Sequence, residues 1–459
     1  MKRTIPTSAW PAAGAFVLLA GLAACAGGAP AGTTPPEPAD GPADAAATIT
    51  AQDVAREIGA LAHDSMAGRD TPSPELEQAA AYLADRFRSM GLEPAGENGT
   101  YIDRYDYEVT RLVADETVVR VQGAGTAPRY EADYFLVPGP GSAEAQAVYV
   151  GVAGETSPPA DAGRAIWIYD HPGAELNQEW QLKLMGAVQA AAANGAAGLV
   201  LVLDPEFPGE MLAPLASMTA AQQGPFPIVG ITDAAARQLA ADAGEDLDAL
   251  REDDGAAPLG EAVIEIRASR GQETHTPPNV VAMLRGSDPA LRDEYVVVTA
   301  HFDHVGVGAP DETGDSIYNG ADDDASGTAA VVEIAEAFAA LPEAPARSVI
   351  FLAVSGEEKG LLGSMAYAED PPVIDIDDVV ANVNMDMVGR NAPDTVIAIG
   401  QEYSSLERVL AGITADHPDL GLNVILDPVP EENFFFRSDQ LAFIQQGIPA
   451  VFFTTHEHE

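Results

Sequence analysis

The sequence predicts an α/β fold: a mainly parallel mixed sheet flanked by helices, with a smaller strand-rich α/β domain inserted into it. Three observations carry this. YVVVT at 295–299, SVIFLAV at 348–354 and VVANV at 379–383 are almost wholly apolar and rich in β-branched residues, the pattern of strands buried on both faces of a parallel sheet. From Asn279 onward such runs alternate with helical patterns, as βαβ units require. Between 136 and 254 a second set of short apolar strands is bounded by glycines and by the acidic stretch closing at Asp254, which are signals of a separate unit.

The amino terminus is read first as an export signal. Met1-Lys2-Arg3 is a basic n-region, and Ala12 to Ala24 is an apolar stretch shorter than a typical membrane span. It closes on Leu22-Ala23-Ala24-Cys25, which resembles a bacterial lipobox. That resemblance implies that Cys25 becomes the acylated first residue of an exported lipoprotein. The chain would then sit on the periplasmic or cell-surface face, at the outer membrane where one exists. Cys25 is the single cysteine, so no disulfide can form within the chain. Residues 26–48 are small, Pro-rich and acidic, the composition of a flexible tether.

From 49 to 135 the first part of the main domain is expected, opening with two helical segments between Gln52 and Met90. In the second, Leu76, Ala80, Leu83, Phe87 and Met90 recur at spacings of four and three and share one face, with Gly91 as the stop. The 136–254 unit should contain strands near 147–152, 165–169, 198–203 and 227–231 and an Ala-rich helix near 183–194. It resembles a protease-associated domain, and nothing in it forms a chemical constellation. Residues 255–459 complete the main domain. With 71 acidic against 23 basic residues and a net charge of −48, the surface disfavours nucleic acid and anionic headgroups as partners.

The chemistry gathers at strand ends. Each apolar run is followed by polar groups: His301 and Asp303, then Glu357-Glu358, then Asp386. In open α/β sheets ligands collect beyond the carboxyl ends of the strands, so these groups predict one site. A fourth cluster, Asp322-Asp323-Asp324, is bracketed by Gly320 and Ser326-Gly327 and opens a helix. Adjacent carboxylates repel unless a cation or solvent relieves them. One imidazole and several carboxylates suit a hydrolytic metal centre, with Asp303 two residues along from His301 on the same side to orient the ring.

AHFDH, NGADDDASG, SGEEKGLLGS and NMDMVGR, in this order, resemble the signatures of the secreted dinuclear zinc aminopeptidases, whose relatives include glutamate carboxypeptidase II. The resemblance implies a zinc-exopeptidase fold and two zinc ions per chain. His301, Asp323 and Asp386 would hold one ion, and Asp323 would bridge to a second held by Glu358. Glu357 would be the general base, with a cis peptide between Asp323 and Asp324. Peptides would be the substrates, and removal of amino-terminal residues the activity. A glutamate-type carboxypeptidase would need a basic pocket, for which Arg347, Arg390 and Arg437 are the candidates. A binding protein on a degenerate peptidase scaffold is the reading from another class, and an intact Glu357 speaks against it.

The family's second zinc also takes a histidine from a His-x-x-Tyr-His segment after a Gly-Ile-Pro strand. Gly447-Ile448-Pro449 is present, and the sequence ends at His456-Glu457-His458-Glu459. The fifth ligand is therefore expected about three residues past Glu459, with His456 or His458 as substitutes and one tight and one weak metal as the consequence.

Overall fold

The computed structural model describes residues 39–456 apart from 157–162, 172–177, 253–255, 309 and 312. Cys25, the export segment and His458 lie outside the described residues. None of the helices within them is long and apolar enough to cross a membrane.

The larger sheet has nine strands among the described residues. Its order runs Glu93–Pro94, Pro278–Leu284, Ser348–Val354, Tyr295–His301, Val379–Met385, Ala450–Thr454, Thr395–Ile399, Asn423–Ile425, with Ile102–Arg104 also on Pro278–Leu284. Tyr295–His301 is parallel to both Ser348–Val354 and Val379–Met385, and the latter is parallel to Ala450–Thr454. Pro278–Leu284 and Thr395–Ile399 run antiparallel to their inner neighbours, making the sheet mixed.

Alternation along a strand decides which core each side chain joins. Val349, Phe351 and Ala353 face helices Ala51–Leu61, Pro74–Ser89 and Ala325–Ala339, beside Leu61, Leu83, Phe87 and Val331. Ile350, Leu352 and Val354 face the opposite layer with Tyr367 and Phe443. Both faces are thus covered, which is why these runs carry almost no polar residues. Helix Pro74–Ser89 starts where Ser73 accepts a hydrogen bond from the Leu76 amide, and its expected stripe is buried, from Leu76 to Met90.

The smaller sheet has the order Val118–Val121, Ala257–Arg267, Ala143–Val152, Ile166–Asp170, Gly198–Val202, Ile228–Ile231, Tyr134–Val137. Two of its strands, Val118–Val121 and Ala257–Arg267, fall outside the expected 136–254 limits and pair with each other through Ile264 and Val121. They close one edge of the sheet from sequence positions on either side of the expected unit. Short alternating strands leave no boundary signal of this kind, because pairing rather than composition defines the unit.

Candidate metal centre

His301 ends its strand, Ser355 to Glu358 follow Ser348–Val354, and Asp386 follows Val379–Met385. Because the three strands are parallel neighbours, all three groups emerge at one edge. Asp324 caps helix Ala325–Ala339, accepting from the Gly327 amide at 2.8 Å, and this turn brings Asp323 to the same edge. The peptide between Asp323 and Asp324 is cis.

The acidic run divides its work. Asp324 is fully buried and also accepts from the Met387 amide at 3.2 Å. Asp322 accepts from the Gly389 amide at 2.8 Å, with the Arg390 guanidinium 3.4 Å away. Asp323 is the member turned into the centre: its Oδ1 lies 3.1 Å from His301 Nε2, and Asp386 Oδ1 lies 3.6 Å from the same nitrogen. One ligand atom from each of His301, Asp323 and Asp386 falls within 4.8 Å of the others, as do ligand atoms of His304, Asp323 and Glu358. Two donor sets therefore share Asp323.

The residues behind this layer are ordered in turn. Thr299 Oγ1 donates to Asn384 Oδ1 at 2.7 Å, Asn384 Nδ2 donates to Ser438 Oγ at 3.0 Å, and Ser438 Oγ donates to Asp386 Oδ2 at 2.7 Å. Asp386 is left with one oxygen aimed at His301. Asp303 is fully buried, but its carboxylate does more for the glutamate loop than for the imidazole. Its Oδ2 accepts from Thr71 Oγ1 at 3.0 Å and its Oδ1 from the Glu357 amide at 3.3 Å. His301 Nδ1 stands 3.6 Å from Asp303 Oδ1 and 3.2 Å from the Asp303 carbonyl.

His301 Nε2 and Asp386 Oδ1 are buried without hydrogen-bond partners. Such groups are costly unless something pairs with them, and an imidazole nitrogen among carboxylate oxygens is a donor set that fits zinc. The electrostatics agree. Burial disfavours a charged His301, yet Asp386 and the carboxylates of Asp303 and Asp323 outweigh it and hold its pKa well above the ordinary value. Burial is the first cause that pushes the Glu357 pKa up to about 9, opposed by His301 and reinforced by Asp439 and Asp386. Negative charge is in excess here, and a cation would relieve it.

A cavity of about 320 Å³ opens beside these groups, lined by Asp323, Glu357, Asp386, Met387, Phe434 and His456 among others. His456 packs edge-on against Phe434 with ring centroids 4.4 Å apart, and its Nε2 has no hydrogen bond. It faces the cavity but belongs to neither donor set. Of the three arginines expected for a basic pocket, Arg437 lines this cavity with its guanidinium 4.6 Å from the Phe434 ring centre, and Arg390 lines an adjoining cavity of about 370 Å³. Arg347 does not belong with them. It precedes Ser348 at the amino end of its strand, away from the centre, and pairs with Glu294 at 2.7 Å.

Sequence reasoning gave no role to His304 or Arg69. His304 Nδ1 is 2.6 Å from Glu358 Oε1; the second histidine of AHFDH was the available signal. Arg69 is buried and donates to the carbonyls of Phe302, Leu61, Asn319 and Gly320, joining the His301 strand end to the loop that carries Asp323. Its distance in sequence from those carbonyls hid it.

Residues 279–459 match the model of Peptidase family M28. A Leptosphaeria maculans protein described as a probable zinc metalloprotease is 31% identical over 216 residues, covering 39% of this chain and 48% of that protein. Aminopeptidase YwaD of Bacillus subtilis is 28% identical over 144 residues, 31% of this chain and 28% of that protein. The chain spans less than half the length of these curated relatives. The solved structure of BSAP, a zinc aminopeptidase from Bacillus subtilis, superposes with a TM-score of 0.50 at 18% identity, over 89% of this chain and 87% of that one, and so shares its fold. The similarity to peptidase family M28 is thus carried by residues 279–459, the part of the chain that holds the donor sets.

Proposed function

We propose that this protein is a zinc-dependent exopeptidase that removes amino-terminal residues from peptides, using two ions and a glutamate base. The observation that carries this reading is the pair of donor sets sharing Asp323. One ion would be held by His301, Asp323 and Asp386; the second would involve Asp323 and Glu358. When bound, zinc supplies Lewis acidity and lowers the pKa of water.

The chain's own groups account for the proton transfers. Glu357 lines the cavity, and its backbone is fixed by Asp303. It accepts the proton of a water molecule whose oxygen attacks the scissile carbonyl carbon, then passes that proton to the departing amine as the C–N bond breaks. Met387, Phe434 and Phe452 supply apolar wall to the same cavity. Arg437 in the cavity wall favours a second reading, a carboxypeptidase that reads a substrate carboxylate.

The test is hydrolysis of a panel of aminoacyl and acyl-glutamate substrates. Turnover of aminoacyl substrates should vanish in excess chelator and return with zinc. Full turnover in a protein free of metal by elemental analysis overturns the metallopeptidase reading, and turnover of acyl-glutamate substrates alone overturns the aminopeptidase reading.

The location is proposed on the same footing. The lipobox-like segment ending at Cys25 supports a lipid anchor carrying more than one acyl chain, since a single chain binds membranes only marginally. A Cys25→Ser protein should leave the membrane fraction; one that stays there wholly contradicts the anchor.

A further inference from the structure

We propose that a second cavity, divided from the metal centre by one aromatic turn, binds the cationic side chain of a peptide. It has a volume of about 400 Å³ and is lined by Tyr403, Phe435 and Phe436 together with Glu402 and Asp427. That volume falls within the roughly 300 to 1,000 Å³ of small-ligand sites. Calling the ligand a peptide rests on the function proposed above; the cation site itself does not.

The sequence builds the cavity from two short helical turns. Strand Thr395–Ile399 ends at Gly400, whose left-handed φ of 86° leads into the turn Gln401–Tyr403, and Phe434–Phe436 forms the other turn. A Cβ on Gly400 would come within 2.4 Å of Phe435 Cε2, so glycine there lets the two turns pack together. About three residues complete a turn of this kind, so successive side chains point well apart. Phe434 is buried with Ile399 and Phe452 and walls the cavity beside the metal centre, whereas Phe435 and Phe436 wall the second one.

Rings and charges in this cavity both select a cation. Tyr403 and Phe435 meet with ring centroids 4.9 Å apart at 69°, and Phe435 and Phe436 with centroids 5.0 Å apart at 81°. Rings set at such angles form the corner of a cage rather than a stack, and aromatic cages hold ammonium and guanidinium groups against the negative ring face. Tyr403 and Phe436 are 71% and 55% exposed, so most of their surface is not spent on the core. The same turn already holds one cation, the Arg437 guanidinium 4.6 Å from the Phe434 ring centre. Glu402 is exposed and Asp427 half-buried, and among the described residues neither is ion-paired with lysine or arginine. A neutral ligand would leave these carboxylates unmatched, and a basic side chain suits both acids and rings.

The experiment is calorimetric titration of the intact protein at physiological salt with Nα-acetyl-arginine amide, which has no free α-amino group to offer the metal centre. Saturable binding is expected, with the neutral isostere Nα-acetyl-citrulline amide bound more weakly. Tyr403→Ala and Phe436→Ala should each weaken binding by about 2- to 30-fold, the span of one cation–π contact from exposed to desolvated. Both side chains are exposed, so neither change opens the core. Phe436→Leu, which keeps apolar surface without a ring, should weaken binding as Phe436→Ala does. Glu402→Gln should weaken it, while Glu431→Gln, an equal change of charge at an exposed position outside the lining, should not. Equal binding of the arginine and citrulline forms, or full affinity in either alanine variant or in Phe436→Leu, overturns the cation site. Equal losses in Glu402→Gln and Glu431→Gln overturn it too, since they mark attraction by the net charge of −48. A blocked pentapeptide with arginine at its centre should bind no more weakly than the single residue, and its failure to bind overturns the peptide as occupant. Intact cation binding in a protein that hydrolyses no peptide supports the site and overturns only the proposed function.

Discussion

The two sheets treat acids at strand ends in opposite ways. In the smaller sheet Asp170 ends the Ile166–Asp170 strand and is held by Arg251 through bonds of 2.9 and 2.7 Å, and Asp233 after Ile228–Ile231 lies 2.8 Å from the same guanidinium. In the larger sheet, among the described residues, no ion pair with lysine or arginine involves Asp323, Asp386, Glu357 or Glu358; the first two lie against His301, and Glu358 against His304. The nearby buried cation, Arg69, is committed to backbone carbonyls. The same architecture thus presents carboxylates at parallel strand ends twice. Where arginine pairs with them they serve stability, and where it does not a metal ion is the proposed counter-charge.

The largest expected effect separates the two glutamates. Glu357→Gln should retain zinc by elemental analysis yet lose a factor on the order of 10² to 10⁴ in turnover, the usual contribution of a placed base. Glu358→Gln should instead lose the second ion. If Glu357→Gln lost metal while Glu358→Gln kept it, the roles would be exchanged.

Arg251→Ala attacks the other side of the comparison. Removing a charged partner of half-buried hydrogen bonds typically costs roughly 1 to 3 kcal/mol, so urea unfolding should show destabilisation of that size with unchanged zinc content. Loss of zinc in this variant would mean that the two regions are not chemically independent.

The smallest effect is a pH dependence. Asp439 is fully buried beside Glu357, and burial raises its pKa from 3.8 to about 7. A carboxyl whose folded pKa is raised binds its proton more tightly in the native state, so its stabilising contribution is complete below 3.8 and is lost as pH rises through about 7. Metal-free protein should therefore lose stability between about pH 4 and 7 more steeply than an Asp439→Asn variant, by up to one proton in the linkage slope. Equal slopes in thermal or urea melts would contradict the placement of that proton.

Much of the centre was legible because strand ends carry it. His301, Asp386 and the Glu357-Glu358 pair each follow an apolar run, and parallel strands must bring such ends to one edge. The choice of Asp323 over its neighbours came from family resemblance; the structure shows Asp322 and Asp324 turned to backbone amides. What stayed hidden depends on long-range packing. Arg69 reaches residues more than two hundred positions away, and His304 meets Glu358 only after the following loop folds back to Gly320. Arg347 was misplaced because nearness in sequence to a site strand does not say which end of the strand a residue occupies. The smaller sheet borrowed Val118–Val121 and Ala257–Arg267 for the same reason: strand pairing is set in three dimensions.

The proposed function turns on the acids of the larger sheet that lack a lysine or arginine partner being balanced by two cations that share Asp323. Zinc content after dialysis, compared between wild type and Asp323→Asn, tests it most directly. Wild type should hold two equivalents and Asp323→Asn fewer than one, because removing a shared ligand weakens both positions while Asp386→Asn weakens one. A wild type that holds no zinc, or an Asp323→Asn protein that keeps both ions, would contradict it.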